Sequence, residues 1–146
     1  MTTKELTLAA EDTEDLEIIA ARLQDAVALV KDLVWMPKSR RFAGIFNRFK
    51  WEESKAKGNL RVRSRLYFDQ VKSVKSTNIR RDAPDTVLSL LTISFTANGT
   101  EDPSGTVLLV FAGGAEIRLD IECIDAGLTD VSGDWAALAR PDHDKA

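Results

Sequence analysis

Residues 60–69 read LRVRSRLYFD and alternate strictly between two classes of side chain. One class is apolar apart from a serine: Leu60, Val62, Ser64, Leu66 and Phe68. The other class is polar: Arg61, Arg63, Arg65, Tyr67 and Asp69. Successive side chains of a β-strand point to opposite faces of a sheet, so this period of two predicts a half-buried strand. On that strand Arg61, Arg63 and Arg65, here called the arginine ladder, face solvent.

Further strands are predicted on both sides of this stretch. Before it, residues 28–36 and 42–51 form two strands joined by the turn Pro37–Arg40. After it, residues 71–79 form a weaker strand whose irregular apolar spacing indicates a bulge. Residues 87–95, 107–111 and 115–123 follow, with Gly113-Gly114 as a hairpin turn. Connections this short require antiparallel pairing.

Two segments have helical spacing. Residues 12–26 begin with Asp12 or Thr13 as N-cap and carry an apolar stripe that suits a core-facing helix. The stripe consists of Leu16, Ile19, Ala20, Leu23 and Val27. Near the other end, Leu128, Val131, Trp135 and Leu138 recur at spacings of three and four. This second pattern predicts a short C-terminal helix within residues 125–139.

The fold class that follows is α+β and mainly antiparallel β, with about seven strands, an N-terminal helix and a short C-terminal helix. Two arrangements satisfy this count. The first is a pleckstrin-homology-like barrel in which Trp135 and Leu138 plug one open end. The second is an open curved sheet with helix 12–26 packed across its apolar face. In either case residues 1–140 form a single globular domain, and residues 141–146 form a flexible charged tail.

The composition argues against several kinds of chemistry. The chain has 146 residues, 44% hydrophobic and 29% charged, with one cysteine and one histidine. A disulfide framework or a zinc site is not expected from Cys123 and His143 alone, and a terminal histidine makes a poor catalytic base. Asp82 and Asp85 flank Pro84 beside two arginines, which favours a structured turn over general acid catalysis. We therefore expect a non-enzymatic protein with no cofactor and no metal.

The location is predicted from what the sequence lacks. The first residues show no signal-peptide pattern, and no stretch reaches the roughly 18 consecutive apolar residues of a membrane span. A cytoplasmic protein without a transmembrane segment is the expectation.

Charge is distributed unevenly along the chain. Residues 1–37 carry 3 basic and 8 acidic side chains, residues 38–81 carry 14 and 3, and residues 82–146 carry 3 and 12. Such asymmetry indicates either a basic face for an anionic partner or basic strands neutralised by acidic neighbours within the fold. The last predicted strand supplies the acidic candidates for neutralisation, Glu116, Asp120 and Glu122.

The candidate binding residues all lie in the basic segment. They are Arg40, Arg41, Arg48, Trp51, Arg61, Arg63, Arg65 and Tyr67. The leading hypothesis is a binding or scaffolding domain whose basic sheet face, residues 38–81, contacts a protein partner or a second copy of the chain. The alternative is nucleic acid or another phosphate-bearing anion on the same face, with aromatic rings stacking beside arginines.

Several short segments also carry a resemblance. They are Asp15-Leu16, Leu23–Ala26, Arg40–Ala43, Asn47–Phe49, Asp85–Leu91, Phe111–Gly114 and Ile117–Ile124. As a set, these segments resemble a bacterial family known as domain of unknown function 2948, over nearly the whole chain. That family has no assigned activity, so the resemblance implies no catalytic residue.

Overall fold

The computed structural model describes residues 6–50 and 61–131. The candidate Trp51, the barrel-plug residues Trp135 and Leu138, and the predicted tail at residues 141–146 lie outside these ranges.

One helix and ten strands make up the described residues. The helix α1 spans Thr13–Arg22. The first five strands are β1 (Thr7–Ala10), β2 (Val27–Leu29), β3 (Leu33–Met36), β4 (Arg41–Phe49) and β5 (Arg61–Phe68). The other five are β6 (Val71–Thr77), β7 (Val87–Ala97), β8 (Gly105–Phe111), β9 (Glu116–Ile121) and β10 (Ala126–Asp130).

All ten strands belong to one antiparallel sheet in the order β1-β10-β5-β4-β2-β7-β8-β9-β6, with β3 pairing to β4 beside β2. β5, which carries the arginine ladder, therefore lies between β4 and β10. The bulge expected in residues 71–79 is present between Val71 and Ser73 on β6.

Two long chain segments bend together. β5 continues into β6 through Asp69 and Gln70, and β9 continues into β10 through residues 122–125. The segments pair before and after the bend, and hydrogen bonds tie the bends to each other: the Asp69 amide donates to Asp125 and the Glu122 amide donates to Gln70. Gln70 adopts a left-handed backbone with φ of 60° to make this corner.

α1 covers the inner face of the sheet. The Asp12 side chain caps it by accepting a hydrogen bond from the Asp15 amide at 2.8 Å. Leu16 and Ile19 on the helix, and Leu23 just after it, are fully buried against β7, β1 and β10. Burial alternates along β4 and β5, so this part of the sheet has an inner face in the core and a less buried outer face.

The structure thus has the second of the two predicted arrangements, an open sheet with the N-terminal helix packed on it. No helix in the described ranges is long and apolar enough to cross a membrane.

Three details of the sequence prediction are wrong. Residues 126–130 form strand β10 and not the start of a C-terminal helix, because all five pair with β5 and Ala126, Leu128 and Asp130 are buried on the inner face. The predicted strand at 28–36 is broken by a 3-10 turn at Val30–Asp32, which raises the strand count. The strand predicted at 115–123 ends at Ile121, and Cys123 is half-buried in the bend that follows it.

Candidate functional site

The arginine ladder lies on the outer face of β5, as the alternation predicted. Ser64 and Leu66 are buried on the inner face, while Arg61 and Arg65 are exposed and Arg63 is half-buried. The outward residues paired with the ladder on β4 are Phe49, Asn47 and Ile45. On β10, Thr129 is opposite Arg65. The paired positions on both neighbouring strands are therefore neutral.

The acidic residues proposed as internal partners of the ladder lie elsewhere. β9 pairs with β6 and β8, so it is not adjacent to β5. Asp120 accepts hydrogen bonds from Ser73 and Thr106, and Glu122 contacts Arg40. For the described residues, the hypothesis that acidic side chains of the last predicted strand neutralise the ladder is therefore wrong.

Aromatic rings on the outer face are covered by guanidinium groups. The Arg41 guanidinium lies 4.4 Å from the centre of the Tyr67 ring, and that of Arg61 lies 4.0 Å from the centre of the Phe49 ring. Tyr67 also lies against Gly127, where an added Cβ would be 2.5 Å from two ring carbons and the phenolic oxygen. The Tyr67 ring is held between Arg41 and the β10 backbone.

Arg41 is fixed by a second contact. Its Nε donates to Oδ1 of Asp69 at 2.7 Å, and its Nη2 donates to Oδ2 at 2.9 Å. These hydrogen bonds, more than the Coulombic attraction to Asp69, raise the pKa of Arg41 above its already high usual value. Because two parallel hydrogen bonds set both the position and the plane of a guanidinium, Arg41 is pre-organised on the outer face.

Arg40 precedes β4 in the turn and has a left-handed backbone with φ of 57°. Its carbonyl accepts a hydrogen bond from the Val71 amide at 3.0 Å, which ties the turn to the β5–β6 corner. Its guanidinium is exposed and forms an ion pair with Glu122. These contacts hold Arg40 against the two bends.

A shallow groove of about 710 Å³ lies between this turn and the ladder. Its lining consists of Met36, Ser39, Arg40, Arg41, Ala43, Arg65, Asp69 and Gln70. Three of the predicted site residues, Arg40, Arg41 and Arg65, therefore meet at one place. In residues 6–50 and 61–131, Arg65 makes no hydrogen bond or ion pair through its guanidinium.

Apolar side chains continue the outer face beyond β4. Val34 is directly opposite Ala43 and is 45% exposed. Val27 is opposite Asn47 on β4 and Ser89 on β7, so it shares the face of the ladder. Further along, Val87 is 59% exposed. The outer face thus combines a row of arginines with a strip of exposed or half-buried apolar side chains.

Arg48 was predicted on the basic face, and this is wrong. It points to the inner face and is fully buried, where Nη2 lies 3.1 Å from both carboxylate oxygens of Asp130. Ser64 donates to Oδ1 of the same carboxylate at 2.6 Å. Asp130 and Ser64 were not predicted as its partners, although the pattern contains a signal: Arg48 is in phase with the inward Phe42 and Phe46.

Other candidates from the sequence have structural roles. Asp82 pairs with Arg80 at 2.9 Å, and hydrogen bonds from that guanidinium lower the pKa of Asp82, opposite to what a general acid needs. The loop carboxylate Asp102 accepts hydrogen bonds from the Ser104 amide and hydroxyl, which lower its pKa. The described residues contain no group of three or more potential metal-ligating side chains.

Comparison with known families supports the resemblance found in the sequence. The model of a family described as "Protein of unknown function (DUF2948)" matches residues 6–143. The chain belongs to this family. No curated protein matches the chain in sequence.

In this member of the DUF2948 family, the predicted site residues fall into three groups. Arg40, Arg41 and Tyr67 gather where the β3–β4 turn meets the β5–β6 corner. Arg61, Arg63 and Arg65 extend from there along β5. Arg48 belongs to the core, and Trp51 lies outside the described residues.

Proposed function

We propose that the outer face of β3, β4, β5 and β10 is a binding surface for a protein partner that presents carboxylates beside apolar side chains. The main support is the row of arginines on β5, in which Arg61 and Arg65 are exposed, between strands whose paired outward residues are neutral. Arginines with nearby exposed aliphatic side chains match the composition of protein interfaces, in which arginine is enriched around an apolar centre. The proposed role is non-enzymatic binding or scaffolding.

The aromatic geometry favours a protein over a nucleic acid. Single-stranded nucleic acids bind sheet faces by stacking bases on exposed aromatic rings. Here Arg41 covers Tyr67 and Arg61 covers Phe49, so a base would first displace a guanidinium from each ring. Nucleic acid is therefore the second candidate, and salt and nuclease sensitivity distinguish it.

Charge also favours a different protein over a second copy of this chain. A two-fold dimer through the outer face would use the same patch on both subunits, so both arginine ladders would enter one interface. Like charges facing each other in an interface are unfavourable. A partner with carboxylates at the ladder positions avoids this repulsion.

The test compares three immobilised baits in native lysate: the wild type, an R61T/R63T/R65T variant and a K72T/K75T/R118T variant. The second variant removes the same three charges from a different part of the sheet, where Lys75 on β6 is opposite Arg118 on β9. We expect one set of proteins on the wild type and on the K72T/K75T/R118T bait, absent from the ladder variant and unchanged by nuclease.

Two results would contradict the proposal. Retention of the same proteins by the ladder variant would show that the outer face is not the binding surface. Loss of the set after nuclease treatment, with a steep fall of binding as salt increases, would assign the ladder to a polyanion.

A further inference from the structure

The groove between the β3–β4 turn and the arginine ladder has a small net positive charge. Arg40, Arg41 and Arg65 line it, and the carboxylates in contact with them belong to Asp69 and Glu122. Three positive and two negative charges leave the groove with one net positive charge. That charge is matched by a single monoanion and exceeded by a phosphate dianion.

Hydrogen-bond donors remain available after the protein's own contacts are made. A guanidinium has five N–H donors. Arg41 gives two of them to Asp69, and Arg65 gives none to any described residue. Ser39, also in the lining, donates its hydroxyl only at 3.4 Å to the Met36 carbonyl.

The groove is pre-organised around a small residue. Ala43, the next outward residue after Arg41 on β4, lines the groove with only a methyl group. Arg41 is immobilised by Asp69 and Tyr67, which reduces the ordering cost of a ligand contact. Two lining residues, Arg40 and Gln70, hold left-handed backbones, and such conformations in residues other than glycine are often found at binding sites.

We infer that this groove is a carboxylate-binding subsite in which Arg65 supplies the principal donors and Arg41 a fixed second group. This rests on the proposed function in one respect, since the natural carboxylate would be an Asp, Glu or C-terminal group of the protein partner. The binding chemistry itself is tested without that partner.

The probe is sodium acetate, exchanged for sodium chloride at constant ionic strength. Binding is followed by NMR on the arginine Nε–H signals and the Ala43 methyl group. We expect saturable shifts at Arg65, Arg41 and Ala43. Arg65→Gln should weaken acetate binding about tenfold or more, because it removes a charge-assisted hydrogen-bonding group. Arg118→Gln is the matched control, since Arg118 is an exposed arginine on β9, outside both the groove and the arginine ladder, and this variant should bind acetate like the wild type.

Equal shifts in Arg65→Gln and the wild type would overturn the assignment, as would shifts that do not saturate. Tighter saturation of the groove by inorganic phosphate than by acetate would overturn the choice of carboxylate. The two proposals fail separately. If acetate does not bind but the ladder variant loses its protein set, the groove assignment falls alone. If acetate binds but the ladder variant keeps that set, the protein-binding proposal falls alone.

Discussion

At the scale of single residues, the stability of the fold depends on the buried ion pair of Arg48 and Asp130. The Asp130 carboxylate accepts from Arg48, from the Ser64 hydroxyl and from the Leu6 amide at 2.9 Å, so it joins β4, β5 and β10 to the start of β1. Asp130→Asn removes the carboxylate that accepts hydrogen bonds from Nε and Nη2 of the buried Arg48. We expect the free energy of unfolding in urea to fall by about 3–5 kcal/mol.

Asp82→Asn is the control for this substitution. It removes a carboxylate from an ion pair in which both side chains are largely exposed. Exposed pairs contribute little to stability because water and salt screen them, so its unfolding midpoint should stay near that of the wild type. If the two substitutions lower the free energy of unfolding equally, the buried pair does not stabilise the fold more than an exposed pair does.

A second residue-scale prediction concerns Gly127 and Tyr67. The three atoms nearest to a Cβ built at Gly127 all belong to Tyr67, at 2.5 Å. Gly127→Ala should therefore destabilise the protein by about 1–3 kcal/mol through overpacking. In a Tyr67→Ala background the same change should be nearly neutral or slightly stabilising, since alanine also restricts the unfolded chain. Urea unfolding of the four proteins gives the coupling, and an equal cost in both backgrounds would contradict the contact.

At the scale of elements, the sequence predicted a strand correctly where the strand's own residues alternate over a sufficient length. β5 alternates over eight residues, so its inner and outer faces were assigned correctly. β10 has five residues, includes Gly127, and was predicted to begin a helix from the spacing of Leu128 and Val131. Its strand conformation depends on insertion between β1 and β5, and no local pattern contains that information. Asp130 was missed for the same reason.

The arginine ladder yields a prediction for a whole strand. Alternate residues on a strand are about 6.6–7 Å apart, so the three charges repel one another, and Arg61 over Phe49 returns only about 0.5–1 kcal/mol. Threonine suits an exposed strand position. The free energy of unfolding of the R61T/R63T/R65T variant, measured in urea, should therefore lie within about 1 kcal/mol of the wild-type value. A much lower free energy of unfolding would show instead that the ladder stabilises the fold through electrostatic contacts within the chain.

At the scale of the molecule, both interpretations of the uneven charge contain part of the answer. Some basic residues are neutralised internally by acidic residues distant in sequence, as in the Arg40–Glu122 and Arg48–Asp130 pairs. These pairs need the β5–β6 corner or the β10 insertion, so the sequence alone did not assign them. The ladder remains on the outer face with neutral residues paired to it, so the placement of charge, and not the net charge, is what supports the binding proposal.

The topology also predicts an order of folding. β7, β8 and β9 are consecutive both in sequence and in the sheet, so their pairing closes short loops. β1 pairs with β10, with Thr7 opposite Thr129, and this contact joins opposite ends of the described chain. Because closing a long loop costs more entropy, we expect the β7–β8–β9 meander in the folding transition state and the β1–β10 pairing after it.

Leu109 on β8 and Leu128 on β10 test this order as a matched pair, since both are leucines with no exposed surface. Replacing either by alanine should cost about 2–5 kcal/mol, which is enough to measure how the loss divides between the two rates. Leu109→Ala should mainly slow refolding, because its contacts form before the barrier. Leu128→Ala should mainly speed unfolding, because its contacts form after the barrier. Stopped-flow refolding and unfolding in urea separate the two effects. The reverse assignment would place the pairing of the chain ends in the folding nucleus, and the sheet would then assemble around β10 and not around the meander.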